Sequence, residues 1–263
     1  MKRIRNLGLA FLMAATVFVA CQKDNSMSNG TSEFGVQFEA LNPAFSLPVN
    51  NTLKSAAIES DSVTWDSAQM VVSTIKFEAK LKSMVTYEDS IEVEYKWNGP
   101  QVVDLLDSNF TLGNFVLSPG IYDEIELKIT GMAEDAGDQP VFYLSGTYKN
   151  NAGSWPVKVW VTRDVYFKTE KENVEVTEEG VDIISVIQIY LDQLMADVDP
   201  ADLDNAAQTD GVIVISADNN ADIYQIIVSN LAHDCRTRYK HKNHGDDHEY
   251  DGYEGHYGNH DDD

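Results

Sequence analysis

The stretch Ile121-Tyr-Asp-Glu-Ile-Glu-Leu-Lys-Ile129 decides the fold class. Ile121, Ile125, Leu127 and Ile129 share one phase of a two-residue period, while Glu124, Glu126 and Lys128 share the other. That is the pattern of a strand with one face on a core and one in water. Ile91-Glu-Val-Glu-Tyr-Lys-Trp97 repeats it, and Asn98-Gly99-Pro100 and Ser118-Pro119-Gly120 supply bounding turns.

Working outward, Ile75, Phe77, Ala79 and Leu81 alternate in one phase, whereas Met70 and Val72 stand in the opposite one. A bulge near Ser73-Thr74 is therefore expected. Val157–Val161, Ile183–Tyr190 and Val212–Ile215 are apolar on both faces and read as central strands. Two segments carry helical signals. Asp199-Pro200 caps and opens a helix over Ala201–Ala207, and Ile223, Ile226, Ile227 and Leu231 lie on one helical face behind Asn219-Asn220. The expected fold is mainly β: an antiparallel two-sheet β-sandwich with one or two short helices near its C-terminal end and a disordered C-terminal tail.

The stretch Leu117-Ser-Pro-Gly-Ile-Tyr-Asp-Glu-Ile-Glu-Leu127 resembles the Pro-Gly-x-Tyr-x-x-Ile-x-Leu strand of a family of bacterial lipoprotein domains with prealbumin-like sandwich folds. Val103-Asp-Leu-Leu106 is similar to a short segment that often precedes that strand in the family. The family has no assigned function. The resemblance thus implies a fold and a cellular address and brings over no functional residues.

The chain's start points to the same address. Lys2, Arg3 and Arg5 precede an uncharged, mostly apolar run from Leu7 to Val19, shorter than the roughly 20 residues of a membrane-spanning helix. This reads as a signal peptide over 1–20. Bulky Phe18 disfavours ordinary cleavage after Ala20. Phe18-Val-Ala-Cys21 resembles the lipobox of bacterial lipoproteins, with Phe18 where Leu is usual. Gln22-Lys-Asp-Asn25 resembles the export tag of surface lipoproteins in some Gram-negative bacteria. The implied protein is acylated on Cys21, with palmitate among its chains, and held by lipid on the outer membrane, at the cell surface or on the periplasmic face.

The expected organisation is a signal peptide (1–20), a lipidated terminus and polar linker (21–32), a single sandwich domain (33–231) and a His/Asp-rich tail (232–263). The formal net charge is −24, and cleavage after residue 20 would remove three basic residues and no acid. Such a surface repels nucleic acid, which is set aside as a partner. Arg236-Thr-Arg-Tyr-Lys-His-Lys242 reads as a charge-balanced hinge before the acidic end. With Cys21 acylated, Cys235 has no intramolecular partner, so no disulfide framework is expected.

Residues 33–231 hold no His and no Cys, which removes Ser-His-Asp and Cys-His nucleophilic sites from the domain. No nucleotide-binding glycine motif is present either. Paired carboxylates could serve a glycan-active enzyme. On alternating strands, however, acids such as Glu92, Glu94, Glu124 and Glu126 more simply keep a sheet soluble. Asp197–Asn205 lacks the glycine and the final Glu of a calcium loop, and capping by Asp199 explains it better. Among the tryptophans, core packing is the default expectation, with Trp97 at a turn and Trp155 beside Pro156 as the candidates for glycan contact.

The tail holds the remaining chemistry. His241, His244, His248, His256 and His260, interspersed with glycines and with Asp246 and Asp247, could gather Zn, Cu or Ni weakly, with His233 and Cys235 as a further pair at the root. A solvated tail that keeps the domain soluble is the alternative. No cofactor is required by any motif. The leading expectation is a non-catalytic binding or structural lipoprotein with a glycan or protein ligand. Metal binding or buffering through the tail is the first alternative, and a carboxylate-dependent glycan-active enzyme the second.

Overall fold

The computed structural model describes residues 32–47, 61–82, 90–107, 111–176, 182–233 and 235–242. These form thirteen strands and four short helices, with the strands in two sheets. The smaller sheet runs β13 (Cys235–Lys242), β10 (Asp182–Tyr190), β1 (Ser32–Leu41), β5 (Thr111–Leu117). The larger is organised on β3 (Ser62–Lys82), which is 21 residues long. One edge of β3 pairs with β2 (Ala44–Ser46) and then β4 (Ser90–Asp104). The other edge pairs first with β7 (Phe142–Asn150) and then with β6 (Gly120–Gly131). Beyond β7 lie β8 (Gly153–Val161), β12 (Val212–Ile215) and β11 (Gln208–Thr209); beyond β6 lies β9 (Val165–Val176).

The sandwich expected from the sequence is present, and both sheets are mixed. β1 pairs parallel with β10, and β12 parallel with β8. Each parallel pair joins segments far apart in the chain, where no hairpin turn dictates an antiparallel return.

A strand as long as β3 stays on the core only if its phase is adjusted, and β3 does this twice. Its register shifts between Val72 and Thr74, as the sequence pattern predicts, and also between Trp65 and Ser67. With the extra residue in β3 at the Trp65/Ser67 shift and in β4 at the Val72/Thr74 shift, Val63 and Trp65, then Ala68, Met70 and Val72, then Ile75, Phe77 and Ala79 all lie on the buried side. Ser73, buried at the second bulge, accepts a 2.9 Å hydrogen bond from the Met132 backbone N–H through its Oγ. A third shift, where β6 meets Leu81, turns Tyr122 inward and leaves Ile121 exposed, which reverses the phase expected for Ile121.

The two sheets meet through aromatic rings. Phe34 of β1 and Phe115 of β5 pack against Phe77 of β3, with ring centroids 4.8 and 5.7 Å away, and Tyr95 of β4 stacks on Phe115 at 5.5 Å. Such tilted and offset contacts add to the burial of apolar area that drives the fold.

The helices are α1 (Ala133–Ala136), α2 (Leu191–Leu194), α3 (Pro200–Asp204) and α4 (Ala221–His233). α3 opens as the sequence implies: Asp199 accepts the Ala201 N–H at 2.9 Å and Pro200 takes the first helical position. α4 buries Ile223, Tyr224, Ile227, Val228 and Leu231. No helix among the described residues is long and apolar enough to cross a membrane.

The stretch read as a hinge is instead a strand. β13 covers Cys235–Lys242, within the segment assigned to the tail, and pairs antiparallel with β10 from Asp182↔Lys242 to Ile189↔Cys235. It contains no aliphatic residue, so hydrophobic periodicity could not reveal it. Backbone pairing extends the sheet, and its alternating Arg236, Arg238, Lys240 and Lys242 suit an edge strand that must not recruit another.

Candidate functional site

The solvent face of the larger sheet divides along β3. On its C-terminal half, cross-strand pairing sets Lys76 opposite Lys128, Glu78 opposite Glu126 and Lys80 opposite Glu124. Lys76 pairs with Glu78 and Glu94, Lys80 with Glu124, Lys128 with Glu78 and Glu126, and Lys168 of β9 with Glu126 and Glu170. Hydrogen bonds from Lys76 and then Lys128 hold the Glu78 carboxyl down at about 2. Burial pushes Glu126 up, but Lys128 and Lys168 outweigh it and leave its carboxyl below the usual range.

Ligand oxygens of Glu124, Glu126 and Glu170 lie within 4.8 Å of one another. The lysines already supply the positive charge that a cation would bring. A general acid needs a carboxyl raised toward the working pH, and Glu78 and Glu126 have moved the other way.

The N-terminal half presents different chemistry. Gln69 of β3 stands opposite Tyr143 of β7, which stands opposite Trp160 of β8, giving one cross-strand row. The next row is Ser67, Ser145 and Lys158. Beside the first row is a depression of about 260 Å³ lined by Trp160, Tyr143, Gln69, Gln139, Pro140 and Val102 over Met70 and Val71. Trp160 is 42% exposed and Val102 48%. Its rim is fixed, since Gln139 N–H bonds the Ala136 carbonyl at 3.1 Å and Val141 N–H bonds the Val161 carbonyl at 2.7 Å.

A third cluster closes α3 onto the sheet. The Asp204 carboxylate accepts hydrogen bonds from the Tyr148 hydroxyl at 2.6 Å and from Asn150 Nδ2 at 2.5 Å. Burial, followed by the Asp204 hydrogen bond, pushes the Tyr148 hydroxyl up, and burial with the Asp204 charge raises Asp61. Two of the four carboxylates in the Asp197–Asn205 segment are thus engaged, Asp199 in a cap and Asp204 in a clasp.

The two tryptophans singled out by the sequence lie elsewhere. Trp97 is half-buried opposite fully buried Ile75, and Trp155 is half-buried and stacks on Tyr148 with centroids 6.1 Å apart. Both pack against the core. The exposed indole is that of Trp160, inside a segment read as apolar on both faces. The available signal was finer: Val157, Val159 and Val161 share one phase, which leaves Trp160 in the phase of Lys158.

Of the candidate metal ligands, His233 ends α4, Cys235 begins β13 and His241 pairs with Ile183. Six residues of extended strand separate Cys235 from His241 by about 20 Å, too far for one ion. His244, His248, His256, His260, Asp246, Asp247 and the lipidation candidate Cys21 lie outside the described residues. In comparisons with known proteins, no protein-family model, curated protein or solved structure matches the chain.

Proposed function

We propose that the protein is a lipid-anchored lipoprotein of the outer membrane, exposed at the cell surface, whose β-sandwich is a non-catalytic binding module. The observation that carries the binding role is the depression at Trp160, which sets an exposed indole among neutral amides on a sheet face whose other half carries a lattice of ion pairs. Exposed Trp160 and Val102 border the same depression, and contiguous apolar surface and large aromatic anchors are features of recognition sites. The lysine-clamped carboxylates Glu78 and Glu126, on the other half of the sheet face, are poorly suited to proton transfer. The anchor rests on the basic and apolar start of the chain and on Cys21.

Fractionating cells that carry the native chain or Cys21→Ser tests the address. The native chain is expected in the membrane fraction and accessible to protease added to intact cells, and the variant in the soluble fraction. Equal distribution of the two overturns the anchor. Protease resistance on intact cells overturns the surface exposure, and polysaccharide turnover by the purified protein overturns the non-catalytic role.

A further inference from the structure

We infer that the ligand of the Trp160 depression is an uncharged glycan chain, a proposal that rests on the binding-module reading above and names its ligand class. A pyranose ring has two kinds of surface: faces of C–H groups that are apolar, and a rim of hydroxyls that both donate and accept hydrogen bonds. The depression offers the complement of each. Trp160, 42% exposed, presents an indole to a C–H face, with Tyr143 its direct cross-strand neighbour. Gln69 and Gln139 bring side-chain amides, each able to donate and accept, as a hydroxyl rim requires.

Charge narrows the class. No Asp, Glu, Lys, Arg or His lines the depression among the described residues, although the chain as a whole carries −24. Asp104 and Lys158 occupy neighbouring positions on the same sheet face, one of each sign. An acidic glycan would meet the long-range repulsion of the chain and find no cation in the site, whereas a neutral sugar is indifferent to the field. A peptide partner on such an acidic protein would be expected to meet acidic residues in the site, and none lines it.

Size and rigidity agree. About 260 Å³ is below the range of sites that enclose a drug-sized molecule and suits one or two sugar units of a longer chain lying across the sheet. Three of the polar or aromatic contacts stand on paired strands, and the loop bearing Gln139 is held by backbone hydrogen bonds at both ends. Little ordering is therefore left to be done on binding.

The test uses the full mature chain with Cys21→Ser, purified without lipid, in native gels containing galactomannan, a mixed-linkage β-glucan, a soluble α-glucan or anionic polygalacturonate, alongside selection on a displayed peptide library. Retardation by at least one neutral polysaccharide is expected, weakened at least about tenfold in Trp160→Ala and partly kept in Trp160→Phe, with circular dichroism unchanged. Polygalacturonate is expected to have no effect. No retardation in any neutral gel, or retardation indifferent to Trp160→Ala, overturns the proposal. Trp160-dependent binding of peptides or polygalacturonate in its place overturns the neutral glycan while keeping the binding module, and Trp160-dependent binding to nothing overturns both.

Discussion

The two halves of β3 share one core and present two different surfaces. Inward, Met70 and Phe77 are equally buried. Outward, the C-terminal half carries Lys76, Glu78 and Lys80 in a lattice with β4, β6 and β9, while the N-terminal half carries Ser67 and Gln69 beside Ser145, Tyr143 and Trp160. The fold demands only that the inner face be apolar and that the outer face tolerate water. Ion pairs meet the second demand at little net energy and protect long strands from pairing with others. An exposed tryptophan beside exposed Val102 meets it less well, and this is the ground on which a ligand is proposed for that half.

If the core is continuous, the largest effects should be alike on both sides of the second bulge. Phe77→Ala and Met70→Ala should each lower the unfolding free energy by about 2 to 5 kcal/mol in a single denaturant transition. Two separate transitions in the Met70→Ala chain would break the comparison, because the halves would then be independent units.

The first bulge gives the next effect. A Cβ on Gly146 would lie 2.0 Å from the Thr64 carbonyl oxygen and 2.8 Å from Trp65 Cα, both backbone atoms unable to step aside. Gly146→Ala is expected to cost about 2 kcal/mol or more, measured by urea unfolding.

The charged half should respond to pH with a small amplitude. The Glu78 carboxyl drops from an ordinary 4.5 to about 2, so the folded state favours its ionised form. Its contribution is complete above pH 4.5 and disappears as pH falls through 2. Glu78 is about one-third exposed, so Glu78→Gln should cost at most about 1 kcal/mol at pH 7, less at high salt, and converge on the native chain near pH 2. A difference that grows on acidification would contradict the assignment. Smallest of all, Trp160→Ala should shift unfolding by no more than about 0.5 kcal/mol, as expected for a side chain that packs little.

Much of this division could be read from the chain, and the unread parts have identifiable causes. Alternation over Ile75–Leu81 and Ile121–Ile129 shows half-buried strands, and the opposed phase of Met70 and Val72 locates the second bulge, because local burial writes itself into a two-residue period. The first bulge, at Asp66, is hidden because Ser67 and Asp66 are both polar and leave the phase change unmarked. The parallel pairing of β1 with β10 has no local signature, since nothing in either strand records its partner's direction. β13 has no local signature because its sequence holds no aliphatic residue to mark a strand phase, while its backbone pairs along β10. The site was partly legible: core packing, the default for tryptophan in a sandwich, holds for Trp97 and Trp155 although both stand next to turns, whereas Trp160 lies mid-strand and points out. Proximity to a turn is a weaker guide to exposure than strand phase.

The most direct test of the division between the halves places one variant from each side by side. Residues 21–263 with Cys21→Ser, and the same chain with Trp160→Ala or with Lys80→Met, would be titrated with the neutral polysaccharide that retards the parent most, following intrinsic tryptophan fluorescence. The expected result is that Lys80→Met binds as the parent does and Trp160→Ala loses both the binding and the spectral change. Equal loss in both variants, or undiminished binding by Trp160→Ala, would contradict the claim that the neutral half is the binding surface and the charged half its soluble counterpart.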